Sequence, residues 1–222
     1  MDPHVGKYNS CWTRGRIVEI KGKAMESERE IVDLETVATT RLENIIDVGL
    51  TASAMIRLFE RGTKEKKLRG PIIKTIKKIF EAKSEAEFKR IHSAFCQRGT
   101  REITLSKKSK RASYGQIAKT LDVVLKVAVY YCHLPECEKS KELSQWLNAA
   151  VDTKMMAMLR KHYPKAMKPW PHTIEEVDGQ SYDEIQRIVR EFVRKEHQNS
   201  ITPVQFDDYY WRKLNRQATF AD

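Results

Sequence analysis

Apolar residues along this chain recur every three or four positions, the period at which an amphipathic helix turns one face to a core. Between residues 27 and 61 the series runs Ile31, Leu34, Val37, Ala38, Leu42, Ile45, Ile46, Leu50, Met55, Ile56 and Leu58, with Gly49 as a candidate interruption. Pro71, after Gly70, starts a further helix in which Ile72, Ile73, Ile76, Ile79 and Phe80 oppose Lys74, Lys77 and Lys78. Four capping-box signatures mark helix starts downstream. Ser84–Glu87 precedes Phe88, Ile91, His92 and Phe95, with Gly99 as the terminator; Ser113–Gln116 opens the stripe Ile117, Leu121, Val124, Leu125 and Ala128, closed by Pro135. Ser181–Glu184 leads into Ile185, Ile188, Val189, Phe192 and Val193, and Thr202–Gln205 places Pro203 at a first helical position. Residues 141–162 carry Leu143, Trp146, Leu147, Ala150, Val151, Met155, Met156 and Leu159, with Asp152 able to cap a fresh helix inside that span.

This pattern predicts an all-α fold: a compact multi-helix bundle of about nine helices, with at most one short β segment near 102–105. The 113–132 helix also carries Val123, Val127 and Val129 off its main stripe, so it is expected at the centre of the core. Pro164, Pro169, Pro171 and Gly179 make 163–180 a Pro-rich loop, expected to wrap the body because Trp170 within it calls for burial. Residues 1–222 are expected to form a single helical domain. A hydrophobic fraction of 41% with nine Gly and seven Pro fits a folded, helix-rich protein, and 222 residues can bury roughly 70% of the unfolded surface.

Charge changes the picture most. Residues 61–111 hold seventeen Lys/Arg against five acids, an excess of 12 in a chain whose net charge is +11, so the remainder is almost neutral. So localised an imbalance has polyanions as its natural partners and predicts a nucleic-acid footprint. Three groups of cations carry it. Lys64, Lys66, Lys67 and Arg69 form a basic loop between helices; Lys74, Lys77 and Lys78 line the polar face of the next helix; Arg98, Arg101, Lys107, Lys108, Lys110 and Arg111 lead up to the Ser113 cap. The last four could meet a phosphate together with the first N–H groups of the 113–132 helix, where Gly115 permits close approach. Phe80, Phe88 and Phe95 fall at core spacing, which leaves Tyr114 as the exposed ring available for stacking and favours backbone over base recognition.

Cys11, Cys96, Cys132 and Cys137 are widely spaced and no signal peptide precedes them, so free thiols in a cytoplasmic setting are expected. Cys132-His133-x3-Cys137 lacks a second ligand pair, and no metal or other cofactor is expected. No run of eighteen apolar residues exists to span a membrane, and no membrane partner is expected. A Gly-rich phosphate loop, a Ser/His/Asp order and H-E-x-x-H are all missing.

Three short motifs, Ser113-x-Gly115-Gln116-x-x-Lys119, Leu147-x-x-x-Val151-Asp152 and Pro203-x-x-Phe206, make residues 110–216 resemble a group of uncharacterised bacterial all-helical proteins. The resemblance implies a helical fold and brings no activity with it. This chain has Asn148 and Ala150 where that group's pattern would have His and Pro. Separately, Arg190-x6-His197 resembles the catalytic motif of HEPN ribonucleases, which implies metal-independent cleavage with His aiding proton transfer at a 2′-OH and Arg stabilising the phosphate. A His at a helix C-terminus also has an ordinary electrostatic reason to be there. The cluster Phe206, Tyr209, Tyr210 and Trp211 predicts docking of the terminal helix onto the core, with a protein partner as the alternative.

The expectation is therefore a non-catalytic accessory or assembly protein that binds a nucleic-acid backbone through residues 61–111, in a bacterial or phage, defence-related setting. The alternatives are a HEPN-like ribonuclease using Arg190 and His197, and an interaction module for an acidic protein.

Overall fold

Helix starts are set where a side-chain oxygen can take up an orphan N–H of the first turn. The computed structural model, which describes residues 33–107 and 109–219, has eight α-helices, several of them opened by such caps. They are α1 (Leu34–Ala52), α2 (Gly70–Glu81), α3 (Glu85–Glu102), α4 (Tyr114–Leu125), α5 (Cys137–Trp146), α6 (Thr153–His162), α7 (Gly179–His197) and α8 (Pro203–Thr219). Ser84 Oγ accepts from Glu87 N–H at 3.2 Å, Asp152 Oδ1 from Met155 N–H at 2.9 Å, and Ser113 and Gln116 cap each other reciprocally. From Leu34 onward the chain forms one compact unit. No helix among the described residues is long and apolar enough to cross a membrane.

Several boundaries differ from the sequence pattern, each for a local reason. α1 runs through Gly49, which is buried and faces Val124 of α4. Residues Lys64–Arg69 form a π-helical turn leading directly into α2, not a loop, with Leu68 buried on its inner side. α3 continues past Gly99 to Glu102; that glycine lets α4 in, since a Cβ there would lie 2.6 Å from Ile117 Cγ2. α7 starts at Gly179, two residues before the Ser181 box, because Asp178 Oδ1 accepts the Ser181 N–H at 2.8 Å and a carboxylate suits the helix N-terminus. The β segment near 102–105 is reduced to bridges, Phe59 with Leu105 and Thr104 with Arg111, within a hairpin-like excursion over residues 103–112. Among the described residues there is no strand.

α4 is the centre. Ten of its twelve residues are buried, and it packs against α1, α3, α7 and the short Ile174–Glu176 turn, while a π-helical turn, Lys126–Tyr131, extends it. Complete burial of Ile117, Leu121 and Val124 stabilises the fold by about 1.5–3 kcal/mol per side chain. In the connection between α6 and α7, residues 163–178, Trp170 is buried, Gly115 N–H donates to Val177 O at 2.9 Å, and Ser113 Oγ donates to Ile174 O at 2.9 Å. The first turn of α4 is thereby covered by the protein's own backbone. Gly115 serves that closure, for a Cβ would come within 2.7 Å of Ile174 O.

Candidate nucleic-acid interface

Most cations of residues 61–111 fall into two sets. One set is held by carboxylates, a carbonyl or a hydroxyl, with Lys89 on Glu85 at 2.8 Å and Arg90 on Glu87 at 3.6 Å among them. Arg69 spans Asp47 (3.1 Å) and Glu43 (2.9 Å) on α1, and these hydrogen bonds raise its pKa further still. Lys64 lies 3.9 Å from Asp47 and donates to Thr51 Oγ1, Lys67 Nζ donates to Glu102 O at 3.0 Å, and Arg98 pairs with Glu102 at 3.1 Å. Arg111 Nη1 donates to Thr104 Oγ1. The other set is exposed with no ion pair among the described residues: Lys66, Lys74, Lys77, Lys78, Arg101, Lys107 and Lys110. Lys108 lies outside the described residues.

Local structure gathers part of the free set. Lys74, Lys77 and Lys78 follow the i, i+3, i+4 rule and share the outer face of α2. Beside them α2 and α3 enclose a groove of about 460 Å³, lined by Lys78, Arg90 and Arg98 together with Glu81 and Glu87. Lys107 and Lys110 project from the hairpin, which is tied to the 58–60 segment by Ser106 N–H to Leu58 O and Glu60 N–H to Thr104 O. Tyr114, expected to be exposed, is 7% exposed and packs against Tyr182. Phe88 and Phe95 are buried, and Phe80 packs against the core.

Next to this face lies a feature the sequence reading missed. Asp122 is a carboxylate within the most apolar helix and is 3% exposed. One of its oxygens meets His92 Nε2 of α3 at 2.9 Å; the other accepts from the Tyr182 hydroxyl of α7 at 2.7 Å. The second ring nitrogen of His92 contacts Cys96 Sγ at 3.7 Å, and the imidazole stacks on Tyr182. Burial by itself lowers the imidazole pKa. The Cys96 sulfur and the Asp122 carboxylate outweigh it, and His92 is held well above 6.5. Burial, aided by the nearby Asp122 charge, pushes the Tyr182 phenol well up. Both His92 nitrogens are engaged, so the ring offers no free base; it forms the wall of a cavity of about 410 Å³. A carboxylate within the most apolar segment was the signal available in the sequence, and its partners lie 30 and 60 residues away.

Arg190 of α7 lines the same cavity, 3.2 Å from both Trp146 O and Asn148 Oδ1 and 3.5 Å from Glu85. Asn148, which stands where the resembled group would have His, is thus a cavity residue. His197 does not line the cavity: its ring packs near Phe192 and Tyr210, and its Nε2 is buried without a hydrogen-bond partner. On α8, Phe206 is fully buried and Lys126 Nζ reaches Asp207 at 2.5 Å, whereas Tyr209 and Trp211 are more than half exposed. No group of three or more metal-ligating side chains is assembled among the described residues. Comparison with models of protein families, with curated proteins and with solved structures gives no match.

Proposed function

We propose that the protein binds the phosphate backbone of nucleic acid on the face made by α2, the α2–α3 groove and the 103–112 hairpin. The observation that carries this reading is the row Lys74, Lys77 and Lys78, exposed on one helix face without a carboxylate partner among the described residues. Neutralising them requires an external anion, and phosphates release counterions on doing so. Arg90 and Arg98 line the groove beside the row, each paired with a glutamate, Glu87 and Glu102 respectively. The buried Tyr114 and the packed phenylalanines favour contact with phosphates over stacking on bases. His92 has both nitrogens occupied, which favours a binding role over proton transfer. In this reading the protein is an accessory or assembly component. A cytoplasmic, bacterial or phage, defence-related setting is its biological frame, proposed from charge and from the resemblance of residues 110–216.

The test is a mobility-shift titration across a salt series on duplex DNA and RNA. With six to eight phosphates met on duplex DNA, the log–log slope is expected at about −5 to −7. The triple substitution K74E/K77E/K78E is expected to weaken binding at every salt and flatten the slope by about 2.7, with the helical circular dichroism unchanged. A salt-independent response, or a triple variant that binds like the parent, removes the proposal. Co-purification of an acidic protein with no excess absorbance at 260 nm would assign the face to that partner instead.

A further inference from the structure

The cavity between α3 and α7 neighbours the α2–α3 groove, with Arg90 lining both. Tyr114, Tyr182 and Asn148, all under 10% exposed, line it, and its volume of about 410 Å³ falls within the range of small-ligand pockets, about 300–1,000 Å³. Cations crowd its mouth: Lys89 and Arg90 from α3, Arg187 and Arg190 from α7, against one acidic lining residue, Asp183. Arg190 is held in place by Trp146 O and Asn148 Oδ1 through Nη2, and neither bond uses its Nε or Nη1. The Asn148 amide nitrogen makes no hydrogen bond among the described residues.

Glu85 shows where an anion is stabilised. Its carboxylate lies 2.8 Å from Lys89 and 3.5 Å from Arg190, bridging the two cations from the edge of the cavity. Arg187, by contrast, is taken up by Glu184 and Glu191 of its own helix. A terminal phosphate monoester carries nearly two charges at neutral pH and three acceptor oxygens, which suits a fork and an ammonium group together.

We propose that this cavity receives a phosphate monoester, either the terminal phosphate of a strand lying in the adjacent groove or that of a free mononucleotide, with Lys89, Arg190 and Asn148 as its ligands and Glu85 displaced from them. The strand arm rests on the backbone-binding reading; the mononucleotide arm does not.

Fluorescence anisotropy on the full chain tests it with one single-stranded oligonucleotide made in three forms: 5′-phosphorylated, 3′-phosphorylated and with hydroxyls at both ends. Titration with adenosine monophosphate runs alongside. One phosphorylated form is expected to bind about tenfold more tightly than the hydroxyl form, the worth of one charge-assisted contact. R190A is expected to abolish that preference, and E85Q, by freeing the two cations, to increase it several-fold. An increase cannot arise from misfolding, so E85Q keeps the test decisive if R190A fails to fold. K74E/K77E/K78E should weaken all three forms while keeping their ratio. Equal affinities for the three forms with no binding of the mononucleotide overturn the cavity proposal and leave the backbone reading intact. Mononucleotide binding that R190A removes, with no oligonucleotide bound in any form, overturns the backbone reading and leaves the cavity standing.

Discussion

At the scale of single residues, the buried contact between His92 and Asp122 has the clearest consequence. An imidazolium surrounded by Phe88, Cys96 and Tyr182 is tolerable only because a carboxylate sits 2.9 Å away. Its folded-state pKa is raised, so the stability it contributes is fully present below the unfolded value near 6.5 and declines as pH climbs from there toward the folded value. Urea unfolding between pH 6 and 9 is expected to show falling stability, with the buried phenols held in their protonated form over that window. Asp122→Asn removes the counter-charge. It is expected to cost about 3–5 kcal/mol at pH 6 and to flatten the pH slope, because the variant imidazole no longer gains from ionising in the fold. A wild-type protein whose urea midpoint is constant across that window would contradict the charged state assigned to His92.

At the scale of elements, helix starts are decided by groups three residues apart and helix surroundings by groups far away in sequence. Ser84, Ser113, Asp152 and Thr202 cap where the pattern places them, because Ncap and N3 are neighbours in any conformation that begins a helix. What covers a helix start is a different matter. The first turn of α4 looked like a phosphate cradle, and the Ile174–Val177 backbone fills it. Gly115→Ala is therefore expected to destabilise the protein by about 1–3 kcal/mol in urea, through overlap with Ile174 O and Val177. The same substitution should leave nucleic-acid affinity unchanged once the protein is folded. Loss of affinity in folded protein would restore that helix end as a binding element.

At the scale of the whole molecule, charge pairing across elements sorts the basic region into held and free cations. Arg69 is silenced by α1, 22 and 26 residues upstream, whereas Lys74 and Lys77 of α2 make no ion pair among the described residues. The terminal helix is fastened by a similar long-range contact: Asp207 is 2% exposed and held against Lys126, 81 residues back. Burial raises the Asp207 pKa while Lys126 pulls it down. Lys126→Ala leaves a buried carboxyl without its cation and is expected to cost about 3–5 kcal/mol. Limited proteolysis should then cut near residues 198–202, ahead of α8. The double replacement K126M/D207L should recover most of the loss. Unchanged resistance to protease in Lys126→Ala would mean that Phe206 packing alone holds the helix.

The all-helical class, the centrality of α4, the burial of Trp170 and most helix starts were legible in the chain itself. Each depends on periodicity or on contacts within one turn, which the order of residues specifies directly. Tertiary structure alone decided which of the cations remain free, that Tyr114 turns inward, and that His92, Asp122 and Tyr182 meet beside Arg190. Those outcomes depend on which surfaces pack together, and packing joins residues whose separation along the chain carries no record of their distance in space.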